Sequence, residues 1–86
     1  MTQITDASLA LFLELAADAP NWGGTPWVNG GNVELTPELR GNFTQLKRAN
    51  LLYVVDHEGD GRTDDMYIKF TAAGYALAAS YGLTID

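Results

Sequence analysis

Apolar residues recur at helical spacing along the start of the chain: Leu9, Phe12, Leu13 and Ala16 stand at i, i+3, i+4 and i+7, the stripe a helix buries against a core. Thr5 or Asp6 is placed to cap this helix and Pro20 follows its end, which predicts a helix over about residues 6–19. Leu11 and Leu15 make a second stripe beside the first, leaving Ser8, Glu14 and Asp18 as the polar remainder. That is more apolar girth than a small domain buries alone, and a partner surface is its simplest outlet. The next stretch, PNWGGTPWVNGGNVEL from Pro20 to Leu35, carries two glycine pairs and two prolines and predicts no helix. Asn32 to Leu35 is expected to form a short strand.

From Thr36 the helical period returns. Thr36 can cap, Pro37 suits the first helical position, and Leu39, Phe43 and Leu46 form the buried stripe of a helix over about 37–49. Two runs rich in β-branched and aromatic residues follow, at about 51–56 and 65–70, around a charged, Gly-containing connection; this is a hairpin pattern. In the second run Met66, Ile68 and Phe70 share one face and Tyr67 and Lys69 the other. Thr71 caps a final Ala-rich helix over about 72–81 that stops near Gly82. The expected core comprises Leu9, Phe12, Leu13, Leu39, Phe43, Leu46, Leu52, Val54, Ile68 and Phe70.

Composition narrows this to one α+β domain spanning residues 1–86, since 86 residues supply a single core with little to spare. The absence of cysteine rules out a disulfide framework, a thiolate metal site and a thiol nucleophile. No basic-plus-apolar leader precedes Leu9 and no apolar run reaches membrane-span length, so the expected setting is the cytoplasm, with no membrane partner. The formal net charge is −6, yet all five basic residues lie between Arg40 and Lys69 and none lies in residues 1–39. The outward face of the second helix gathers Arg40, Thr44, Gln45, Lys47 and Arg48, side chains able to reach phosphates, base edges or acidic protein surfaces. Gly41 lies in that helix at a cost of roughly 1 kcal/mol relative to Ala, so either another surface approaches closely there or the helix tolerates it.

Three motifs in order carry a family likeness. Leu46-Lys47-Arg48-Ala49-Asn50-Leu51 resembles the end of the recognition helix of winged-helix transcription regulators of the multiple-antibiotic-resistance type and their small phage or prophage relatives. Asp60-Gly61-Arg62 resembles their wing tip, and Phe70-Thr71-Ala72-Ala73-Gly74 their strand-to-helix junction. The likeness covers less than half of the chain. It implies a small winged-helix-like domain of helix, strand, helix, hairpin and helix, in which the strand at 32–35 adds to the hairpin. It also implies double-stranded DNA as partner, with Arg40, Thr44, Gln45, Lys47 and Arg48 facing the major groove and Arg62 meeting the backbone or minor groove. The helix-free segment Pro20–Leu35 falls where such regulators place the first helix of their helix-turn-helix, so that element is degenerate here.

Other constellations carry less. Asp56 to Asp65 contains D-x-E-x-D-G-x-x-D, the start of a calcium loop of the EF-hand type, but Tyr67 occupies the position of its bidentate Glu and strands flank it. A solvated acidic tip is the expectation, with no metal or cofactor. Ser8 and Ser80 lack a nucleophile motif and a base, and Glu34 and Glu38 lack a sugar cleft, so no enzyme activity is expected. Two function classes stand: a DNA-binding regulator, or an acidic protein-binding module on the same fold, such as a phage-type inhibitor of a nucleic-acid-binding host protein. The second would use Trp22, Trp27, Asp60, Asp64 and Asp65. Trp22 and Trp27 also have a structural reading, as cover for the core edge in place of a missing helix. Leu11, Leu15 and the Ala-rich last helix point to a homodimer through the first and last helices.

Overall fold

A computed structural model describes residues 4–28, 33–57 and 66–85, with the side chains of Asp56, His57 and Met66 outside the description. Helix α1 (Asp6–Asp18) runs into a 3-10 turn (Ala19–Trp22), followed by strand β1 (Trp27–Val28), helix α2 (Pro37–Arg48), strands β2 (Leu52–His57) and β3 (Met66–Phe70), and helix α3 (Ala72–Ser80). The strands form one antiparallel sheet in the order β1-β3-β2. Three helices and a three-stranded sheet make a small α+β domain of winged-helix-like element order.

Local chemistry explains the element ends. The Thr5 hydroxyl accepts from the Ser8 backbone N–H at 3.1 Å and the Thr71 hydroxyl from that of Gly74 at 3.1 Å, capping α1 and α3. Thr36 occupies the corresponding position of α2 without a side-chain cap bond, so Pro37 and the Thr36 carbonyl, which accepts from Leu39 and Arg40, open that helix. Helix α2 closes on Asn50 at φ 60°: Leu51 N–H donates to the Leu46 carbonyl and Asn50 N–H to that of Lys47, the paired bonds of a Schellman motif. Helix α3 closes the same way on Gly82, with Leu83 N–H on Ala78 and Gly82 N–H on Ala79.

The core lies between α1, the inner face of α2 and the covered side of the sheet, with Phe12 and Phe70 edge-to-face at 5.6 Å. Several expectations are corrected here. Leu11 and Leu15 are 1% and 0% exposed, whereas Leu9 and Leu13 are only half-buried. The stripe expected to serve a partner is therefore the interior one. The buried arc of α1 runs through Ser8, Leu11, Phe12, Leu15 and Ala16. Ser8 is admitted because its hydroxyl lies within hydrogen-bond reach of the Asn42 side-chain oxygen at 3.2 Å. Asp18, also counted as polar remainder, is buried too.

The third strand lies at Trp27–Val28; of the expected strand at residues 32–35, Asn32 lies outside the described residues, and Val33 contributes an isolated bridge to Val28 while Glu34 and Leu35 are not in a strand. Trp27 and Val28 pair with Tyr67 and Met66, and Ile68 N–H donates to the Pro26 carbonyl. Val54 is 37% exposed, because β2 is an edge strand whose register shifts between Val54 and Asp56. A bulge of this kind turns side chains away from strict alternation. In β3 the alternation holds: Ile68 and Phe70 are buried, Lys69 is exposed and Tyr67 is half-buried.

Candidate nucleic-acid interface

Helix α2 has two chemically distinct sides. Inward, Phe43 and Leu46 are buried, and Asn42 and Gln45 join the polar seam to α1. The Gln45 side-chain oxygen accepts from the Thr5 backbone N–H at 3.0 Å, which places Gln45 at the margin of the outward face. Outward, Arg40, Gly41, Thr44, Lys47 and Arg48 are all exposed. At about 100° per residue these five project within an arc of about 120° that includes no carboxylate of the helix.

Part of this outward chemistry has a reason within the fold. Lys47 and Arg48 occupy the last turn, where cations meet the negative end of the helix dipole, and the Lys47 ammonium sits 5.2 Å from the centre of the Phe43 ring. The Thr44 hydroxyl donates to the Arg40 carbonyl at 3.1 Å. Arg40 stands in the first turn and a half of α2, toward the end where the dipole disfavours a cation. With Lys47 and Arg48 it makes three cations on one exposed helix face.

Arg62, Asp60, Asp64 and Asp65 lie outside the described residues. Trp22 and Trp27 form a cluster: their rings meet edge-to-face at 5.8 Å, and Trp27 stacks on its cross-strand partner Tyr67 at 5.6 Å with 13° between planes. Asp18 holds this cluster from the end of α1, accepting from Trp22 Nε1 at 2.9 Å and from the Asn21 amide at 3.0 Å. Both indoles are half-buried. Trp27 Nε1 is buried without a partner among the described residues, a cost of about 1–3 kcal/mol that the stacking has to offset.

Sequence reasoning missed the Asp18 clasp, for which the spacing Asp18-Asn21-Trp22 at i, i+3, i+4 was the available signal. It also missed an apolar groove of about 500 Å³ between α1, α3 and the corner joining α2 to β2, lined by Ile4, Leu9, Leu51, Leu77 and Tyr81 among others. No group of three His, Asp or Glu side chains placed to hold a metal ion occurs among the described residues, and no helix among them is long and apolar enough to cross a membrane. No protein-family model, curated protein sequence or solved structure matches the chain.

Proposed function

We propose that this chain is a small winged-helix DNA-binding protein of the phage or prophage regulator type, acting in the cytoplasm on double-stranded DNA through the outward face of α2. The observation that carries the reading is the grouping of Arg40, Lys47 and Arg48 on one exposed helix face, with no other helix among the described residues bearing a basic residue. A face of this kind neutralises phosphates and releases counterions, so affinity falls with salt. Thr44 lies among the cations, and Gln45 reads from the margin. Arg62 is the wing's contribution under the same reading. Fluorescence titration against mixed-sequence duplex DNA at low salt tests it. Lys47→Ala and Arg48→Ala each weaken binding at all sequences and flatten the log–log salt slope by about one unit per lost phosphate contact.

The net charge of −6 favours a second reading, an acidic module that occupies the nucleic-acid site of another protein. The two disagree in sign: neutralising Asp60, Asp64 and Asp65 strengthens DNA binding under the first and abolishes partner binding under the second. Self-association through the first and last helices belongs to the first reading, supported by the uncharged groove at Leu9, Leu77 and Tyr81 instead of the buried Leu11 and Leu15. A monomer mass by light scattering at tens of micromolar removes it.

A further inference from the structure

Two glycines sit inside helices of this fold, and only one has a reason there. At Gly74 a Cβ would clash with the Leu51 carbonyl oxygen and lie 3.2 Å from Phe70 Cβ, so packing of α3 on the α2–β2 corner demands glycine. At Gly41 a Cβ would meet no atom of the described residues within 4 Å, and φ is not positive. Glycine there gives up roughly 1 kcal/mol of helix stability relative to Ala without serving the turn, the core or a neighbouring element among the described residues. Its surroundings are specific: Gly41 is exposed on the cationic face, one turn before Thr44 and two before Arg48, with Arg40 adjacent.

We propose that Gly41 is a notch in the interface, the point at which a sugar–phosphate strand of duplex DNA lies against the α2 backbone between the guanidinium groups of Arg40 and Arg48. The inference rests on the DNA-binding reading and adds to it the place of closest approach. Glycine suits such a place because it lets another backbone come nearer than any side chain permits. Charge complementarity selects the occupant, since three cations of α2, and no carboxylate of that helix, project on the side of the notch. Phosphate oxygens are the acceptors that protein donors most often meet on DNA.

The test compares the wild-type chain with Gly41→Ala by thermal unfolding and by titration with mixed-sequence duplex DNA across a salt series. Gly41→Ala is expected to melt about 4 °C higher, because helix propensity improves where space is open. It is expected to bind about tenfold more weakly with an unchanged salt slope, because approach is lost and no cation is. Wild-type affinity in a variant of raised melting temperature overturns the notch and leaves the DNA reading standing. A lowered melting temperature also overturns it, by revealing a folding role for the glycine. Absence of DNA binding by the wild-type chain overturns the DNA reading and the notch together.

Discussion

The Phe70–Gly74 junction and the outward face of α2 respond to opposite questions. At the junction, each choice is forced from inside the molecule: Phe70 fills the core, the Thr71 hydroxyl caps α3 while its backbone N–H donates to Leu51, and Gly74 admits that same Leu51 carbonyl. On the outward face of α2, the described residues account for Lys47 and Arg48 in part and for Gly41 not at all. A residue the fold requires says nothing about partners, and a residue that costs stability without a folding reason points outward. The comparison thus separates two motifs that look equally suggestive in sequence. The F-T-A-A-G junction is explained by packing, whereas the helix face is where function is to be sought.

Substitutions should divide along that line. Removing interior side chains gives the largest effect: Leu46→Ala on the inner side of α2, or Leu15→Ala on α1, should each cost about 2–5 kcal/mol in denaturant unfolding, because both side chains are fully buried. A small effect at Leu15 would restore it to a partner-facing role. Gly74→Ala comes next, at about 1–3 kcal/mol, since the Leu51 carbonyl or the whole of α3 must shift to admit a methyl group. Thr71→Ala should cost about 1 kcal/mol through loss of the cap. Smallest are Lys47→Ala and Arg48→Ala, expected within about 0.5 kcal/mol of wild type because both are exposed. If either destabilised the chain as strongly as Gly74→Ala, the cations would be structural and the contrast would collapse.

How much of this was legible beforehand follows the same physics. Helices and hairpin were readable because periodicity, caps and stop residues agree locally, as at Thr71 and Gly82. Which side of α1 faces inward was not. Leu9-Phe12-Leu13-Ala16 and Ser8-Leu11-Phe12-Leu15 are equally regular stripes, and no local pattern shows that Asn42, 34 residues away, supplies a partner for a buried Ser8 hydroxyl. The third strand was misplaced for a similar reason. Trp27 is fixed by stacking on Tyr67, a contact no local pattern reveals, while the Val33 segment has the better strand composition and forms only one bridge. The cationic face of α2 was legible because charge and helical period sufficed to assemble it. The margin position of Gln45 was hidden, because its bond to Thr5 spans 40 residues.

The most direct test of the outward face is the salt dependence of duplex-DNA affinity for the wild-type chain beside a Lys47→Glu, Arg48→Glu double reversal, with thermal unfolding measured on both. The account predicts binding by wild type that weakens steeply with salt, and no binding by the reversed chain even at low salt. It also predicts a melting temperature for the reversed chain lowered by no more than a few degrees, through the lost helix-end and ring contacts of the two cations. Binding that survives the reversal, or a wild-type chain that binds no DNA at low salt, would contradict it.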